Sequence, residues 1–268
     1  MEPPPVHYVT TSDGYSIAYT VSGRGRPFVF LPSVFEHVQL AWQYPSLQPW
    51  LEGLITRFQL IQIDERGSGL SSRGLKEDHA EEHYQRDLEA VIDKLGLPPF
   101  VLYASNTRAP VAVQFTLNHP DRVLALVLGP CRLSQSRNPT QAAFVTMLPD
   151  ANWELFVHSL VSLYQAPEDI PTSVALYNLA FDQQDFVKRQ RVALVGIPEE
   201  SLSRLGTPTL ILCPRDYWGG ENSLTMAKRL AQLARGTFTL IDGSFAMGDS
   251  EQGISRDRSL PDWHSSRR

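Results

Sequence analysis

Residues 99–123 narrow the possible folds more than any other stretch of the chain. Phe100-Val101-Leu102-Tyr103 is short, apolar and rich in β-formers, and Val111, Phe115 and Leu117 then recur at roughly helical spacing until His119-Pro120 closes the segment. The pattern predicts strand, sharp turn, helix. In α/β proteins a turn of this kind presents a functional side chain at the carboxyl end of a central strand, against the positive end of the following helix.

The rest of the chain predicts the sheet to which that strand belongs. Alternating residues 6–11 and 15–21 flank Ser12-Asp13-Gly14, a hairpin signal. Phe28-Val29-Phe30-Leu31 and Leu60-Ile61-Gln62-Ile63 are dense apolar runs of the kind found in buried parallel strands. Tyr84, Leu88, Val91, Ile92 and Leu95 form a helical stripe that Gly96 ends, and residues 123–128, 209–212 and 237–241 supply three more strands. Strands separated by helical crossovers imply a mostly parallel sheet with helices on both faces. Across residues 133–206 the strand rhythm stops, and Trp153, Phe156, Val157, Leu160 and Leu163 mark helices broken by Pro149, Pro167 and Pro171. We expect residues 1–132 and 207–249 to form the core, 133–206 a helical cap over the carboxyl edge of the sheet, and 250–268 a disordered polar tail.

Charge and composition remove several function classes. The 268 residues carry a formal net charge of -5, which gives no bulk attraction to phosphate backbones or anionic membranes, so this segment is expected to bind no nucleic acid. The start, Met1-Glu2-Pro3-Pro4-Pro5, lacks the basic and apolar regions of a secretory signal, and no apolar run approaches the roughly 20 residues of a membrane span. The two cysteines, Cys131 and Cys213, are expected to be reduced core thiols in a cytoplasmic protein.

Taken together, Tyr8-Val9-Thr10-Thr11-Ser12-Asp13-Gly14-Tyr15, Leu31-Pro32-Ser33, His37-Val38-Gln39-Leu40, Asp64-Glu65-Arg66-Gly67-Ser68-Gly69-Leu70-Ser71, Asp87-Leu88-Glu89-Ala90-Val91 and His119-Pro120-Asp121-Arg122-Val123 resemble the α/β-hydrolase superfamily. The branch most like it has hydrolase-like domains that occur alone or fused to nucleotide cyclase or LuxR-type helix-turn-helix domains in bacterial signalling proteins. The resemblance implies an α/β-hydrolase fold, a capped pocket for a small molecule and no cofactor or metal. It also implies a Ser, acid and His triad, and here the sequence departs from the pattern. Ala104-Ser105-Asn106-Thr107-Arg108 occupies the family's Gly-x-Ser-x-Gly turn, which puts Asn106 at the nucleophile position. An amide nitrogen, delocalised into its carbonyl, is not activated by a neighbouring base as a hydroxyl is. Ser105 is the alternative nucleophile only if the turn slips by one residue, placing Tyr103 where the first glycine belongs. Arg108 is large and charged where the family has a small residue.

The family's base is a histidine after the last strand, where this chain reads Asp242-Gly243-Ser244-Phe245-Ala246-Met247-Gly248-Asp249 and offers Phe245 or Ala246; His264 lies in the tail. Asp216 falls within one residue of the acid position but has no histidine to orient. Ser33, Val34 and Phe35 occupy the oxyanion-hole loop, and the backbone amides of Val34 and Thr107 could still donate into a pocket, since such donors do not depend on side-chain identity. With Thr107, Arg108 and His37 they complete the candidate ligand-binding set. His79, His83, Glu81 and Glu82 have a spacing that suits a metal, but they lie in a polar run that reads as a solvated helix start. The residues therefore favour a non-catalytic ligand-binding or regulatory protein on a hydrolase fold. The alternative is an active serine-type hydrolase of an ester, lactone or epoxide-like molecule using Ser105 or a non-standard constellation. A homodimer, a partner signalling domain, and a chain that is one part of a longer regulator are further expectations.

Overall fold

Val6–Thr10 (β1) and Ser16–Gly23 (β2) pair antiparallel around a turn in which the Thr11 hydroxyl donates to Asp13 Oδ1 at 2.6 Å and Gly14 takes φ +92°. The computed structural model describes residues 2–31, 37–44, 47–133, 147, 149–162, 167–193, 196–215 and 221–241. Arg26–Leu31 (β3), Phe58–Asp64 (β4), Phe100–Ala104 (β5), Val123–Leu128 (β6), Thr209–Pro214 (β7) and Thr237–Ile241 (β8) complete an eight-stranded sheet in the order β1-β2-β4-β3-β5-β6-β7-β8. β2 runs antiparallel to both of its neighbours, and every other pairing from β4 to β8 is parallel. This is the α/β-hydrolase fold that the sequence implies.

The parallel strands are joined by helices Gln48–Ile55 (α1), Glu81–Leu95 (α2), Ala109–Asn118 (α3) and Glu221–Leu233 (α8). Alternation along each strand feeds two cores. Val29, Leu31, Leu102 and Ala104 face a cluster built with Leu88, Val91 and Ile92 of α2 and Ala112, Val113 and Phe115 of α3. Phe28, Phe30, Val101 and Tyr103 face the opposite cluster, built with Trp42 and with Trp50, Leu51 and Leu54 of α1. Each large apolar side chain buried in this way contributes roughly 1.5–3 kcal/mol relative to its exposed state. Strand β5 is thus held on both faces and both edges, a rigid base for the turn that follows it.

Helix α2 shows how the local sequence sets its own ends. Glu81 and Glu82 lie in the first turn and Lys94 in the last, each on the side that the helix dipole favours. Gly96 stops the helix in the left-handed region (φ +57°), where its N–H donates to Asp93 and the Leu97 N–H to Ile92.

Between β6 and β7 lie Trp153–Ser162 (α4), Ile170–Ala180 (α5), Gln183–Ala193 (α6) and the short Glu199–Ser203 (α7). Phe156, Val157, Val161, Tyr177, Ala180, Phe181 and Phe186 form a separate aromatic-rich cluster among α4, α5 and α6. Ile197, Leu202 and Leu205 instead pack into the larger cluster beneath the sheet, so that part of the interval is built as core. No helix among the described residues is long and apolar enough to cross a membrane.

Candidate functional site

Among the described residues, the turn after β5 carries a non-glycine residue of positive φ, Asn106, next to the sheet's carboxyl edge. Ser105 is still extended (φ -139°, ψ 165°) and only 3% exposed, whereas Asn106 takes φ +46°. Asn106, Thr107 and Arg108 form one turn of 3-10 helix that leads directly into α3. The positive φ falls on Asn106, the residue that the family resemblance puts at the nucleophile position, and Asn tolerates that region better than most side chains. Asn106 and Thr107 are half-buried, while the Asn106 N–H donates to the Pro130 carbonyl at 2.6 Å and the Arg108 N–H to Ser105 at 3.0 Å.

Tight packing at this turn is supplied from an unexpected side. A Cβ on Gly129, just past β6, would lie 2.6 Å from the Tyr103 hydroxyl and 2.8 Å from the Ser105 Cβ. Gly129 provides room that the sequence argument sought in the residues flanking Asn106 themselves. Because Asn106 sits in the left-handed region, Asn106→Ile is expected to lose about 1–2 kcal/mol and Asn106→Gly to stay within about 1 kcal/mol, as read from urea unfolding midpoints.

Arg108 does not project into solvent. It is 2% exposed, its Nε pairs with Glu65 Oε2, and its guanidinium carbon lies 4.3 Å from the centre of the Tyr84 ring. Arg189 of α6 reaches the same carboxylate, with Nη2 3.5 Å from Glu65 Oε2, and Glu65 is itself 3% exposed. Sequence reasoning missed Glu65, Tyr84 and Arg189. Its available signal was a charged residue where a tight turn usually needs a small one, since a buried arginine requires a buried acid.

His37 and the turn of residues 105–108, the elbow, follow the carboxyl ends of adjacent strands, since Leu31 of β3 pairs with Ala104 of β5. The His37 Nδ1 accepts from the N–H groups of Gln39 (3.3 Å) and Leu40 (3.2 Å), a structural use of the ring that starts the following 3-10 turn. Burial and the nearby Arg73 push its pKa down to about 4. His79 is not the solvated residue anticipated. Its ring packs edge-on against Tyr84 at 4.7 Å, stacks on His83 at 5.5 Å and buries its Nε2, and burial together with Arg189, His83 and Arg108 lowers its pKa to about 3. His83 accepts the Ala80 N–H at 3.0 Å.

The sign of the resulting pH dependence is fixed. Unfolded histidine titrates near pH 6.5, so between about pH 6.5 and 4 the unfolded chain binds more protons than the folded one, and stability falls as pH falls through that window. The urea midpoint is expected to be lower at pH 4.5 than at pH 7, and His79→Phe, which keeps an aromatic ring against Tyr84, is expected to shrink the difference.

Cys131 follows Pro130, the acceptor for Asn106, and burial pushes its thiol up to about 12, so it offers no thiolate at neutral pH. Cys213 is also a free thiol pushed upward by burial. Trp42 and Trp50 are core residues, the former donating to Gln62 Oε1 at 3.0 Å, and Trp153 packs beside Phe156 and Phe186. No group of three or more metal-ligating side chains occurs among the described residues. Ser33, Val34 and Phe35, Asp216, the loop from Asp242 to Asp249 and His264 lie outside the described residues. The elbow side of the candidate site, Ser105 to Arg108, is thus brought together on one turn.

No protein-family model matches the chain. A Caulobacter vibrioides protein named "Putative carbamate hydrolase RutD" is 31% identical over 123 residues, 45% of this chain and 43% of that protein. "Bifunctional epoxide hydrolase 2" of Mus musculus is 23% identical over 211 residues, 75% of this chain and 37% of that protein. The aligned part of the chain spans less than half the length of these curated relatives. Among solved structures, a bromoperoxidase from Bacillus anthracis superposes with a TM-score of 0.75 at 14% identity, covering 92% of this chain and 94% of that one. An enol-lactonase from Burkholderia xenovorans LB400 gives a TM-score of 0.70 at 14% identity, covering 90% and 93%. These structural likenesses establish the fold, and the sequence relatives carry hydrolase names.

Proposed function

We propose that this chain is a pseudo-hydrolase, an α/β-hydrolase-fold protein that binds a small molecule and acts in binding or regulation without turning it over. The observation that carries this reading is Asn106 at φ +46° on the elbow, with Ser105 extended and buried one residue before it. A triad acts as a unit, so loss of its nucleophile alone removes most of the rate, and the sequence offers no histidine between Ser244 and Gly248. The ligand would lie between the carboxyl edge of the sheet and the helices of residues 133–206, touching Thr107 and the loop of Ser33, Val34, Phe35 and His37. Its site would need neither metal nor cofactor. The resemblance to domains fused to cyclase or LuxR-type modules suits a cytoplasmic signalling role, either in a homodimer or with a partner domain.

The names of the sequence relatives favour a second reading, hydrolysis of an ester, lactone or epoxide-like substrate through Ser105 or a non-standard constellation. Turnover of short-chain nitrophenyl esters separates the two. We expect no turnover above buffer from the wild type, and none from Asn106→Ser, because a restored hydroxyl still lacks a base. Turnover by the wild type that disappears in Ser105→Ala would establish the second reading.

A further inference from the structure

Residues 65–77, in the loop between β4 and α2, are tied repeatedly to the corner of α5 and α6. The Gly69 N–H donates to the Ala180 carbonyl at 2.8 Å, and Asp185 accepts the N–H groups of Gly74 (2.8 Å) and Leu75 (2.7 Å). Lys188 Nζ donates to the Leu75 carbonyl at 2.7 Å and pairs with Glu77 at 3.1 Å. All of these contacts end on the loop. Arg189 goes further: its Nη1 donates to the Arg66 carbonyl, and its Nη2 meets Glu65 Oε2, the same oxygen that takes Arg108 Nε from the elbow. The Tyr84 ring lies against both guanidinium groups, 4.3 Å from Arg108 and 5.3 Å from Arg189.

We propose that Glu65 is a latch that makes the position of α6 and the conformation of the Asn106–Arg108 turn one coupled, two-state element. Arg108, Arg189 and Glu65 are each no more than 3% exposed. Both arginines meet one carboxylate oxygen in a site that water does not reach, so withdrawing either removes a donor from that oxygen and makes Glu65 re-seat against the arginine that stays. Coupling of this kind is reciprocal: a ligand or partner that moves α6 shifts the elbow, and an occupant that reshapes the elbow shifts α6 by the same free energy. The device does not depend on whether the turn binds or catalyses, and so stands apart from the reading above.

Hydrogen exchange of the full chain tests it, using Arg189→Met, Arg108→Met and, as a control on the same helix, Lys188→Met. Arg189→Met is expected to speed exchange of α3 amides next to the elbow, and Arg108→Met exchange of α6 amides, by roughly 5- to 150-fold, the usual range of coupling between sites. Lys188→Met should speed exchange in α6 and leave α3 unchanged. Effects of Arg189→Met confined to α6 and the loop, or of Arg108→Met confined to α3, overturn the latch. Should the arginine variants fail to fold, the wild type decides through native-state exchange in increasing denaturant. The latch requires α6 and the start of α3 to open in one event, and an α6 that opens alone at lower free energy overturns it.

Discussion

Replacing Asp87 with alanine is expected to lose about 3–5 kcal/mol of unfolding free energy, the usual cost of stranding one partner of a buried ion pair. Asp87 is fully buried on α2 and receives the Arg66 N–H at 3.0 Å, Nε at 2.8 Å and Nη2 at 2.7 Å. Arg66, 1% exposed, also grips Asp13 at 2.7 and 3.0 Å and stacks 4.1 Å from the Tyr15 ring centre. One guanidinium therefore ties the hairpin turn, the end of β4 and α2 together. With Asp87 gone, Arg66 keeps its charge but loses three hydrogen bonds in a site from which water is excluded. Urea unfolding measures the loss. Arg66→Met combined with Asp87→Leu should recover much of it, since removing both charges removes the desolvation cost as well. Asp93→Ala, which breaks the exposed pair with Arg122, should stay within about 0.5 kcal/mol.

Gly69→Ala is the second large effect. Gly69 takes φ +52°, and a Cβ there would lie 2.1 Å from Asp64 Oδ2 and 2.2 Å from its Cγ. Asp64 is in no position to yield: it is fully buried, and its carboxylate holds the N–H groups of Val38 at 2.8 Å and Leu70 at 2.9 Å. Left-handed strain of about 1–2 kcal/mol adds to overpacking of about 1–3 kcal/mol, giving an expected loss of roughly 2–5 kcal/mol. Gly96→Ala isolates the strain, because its φ is +57° and nothing lies within 4 Å of the added methyl. It should cost only the left-handed term, and the difference between the two midpoints measures the clash with Asp64.

The sheet and its crossovers were legible because their signals are local and periodic. Tyr84, Leu88, Val91 and Ile92 recur at helical spacing and line the buried face of α2, and Gly96 ends it in the conformation that glycine permits. The turn itself was legible for a different reason, since an apolar strand, a break and a helical stripe follow one another directly, and the structure places β5, the 106–108 turn and α3 there. The charge clusters were not legible. Glu65 meets Arg108 and Arg189 from positions far apart in sequence, and nothing periodic links a loop carboxylate to an elbow and a helix. Arg108 therefore read as a residue that would disturb a tight turn, whereas the fold buries its charge on Glu65 and Tyr84 and provides the tightness through Gly129. His79 misled in the same way: flanked by polar residues, its run reads as solvated, whereas burial of its ring against Tyr84, with Arg189 and Arg108 nearby, pushes its pKa down.

The central claim is that the elbow of this hydrolase fold has no working nucleophile, and covalent trapping tests it without a known substrate. The full chain, incubated with a fluorophosphonate that phosphonylates activated serines, is predicted to keep its unmodified intact mass. A stoichiometric adduct on the wild type that is lost in Ser105→Ala would contradict the account and make this chain a serine hydrolase with an unusual turn.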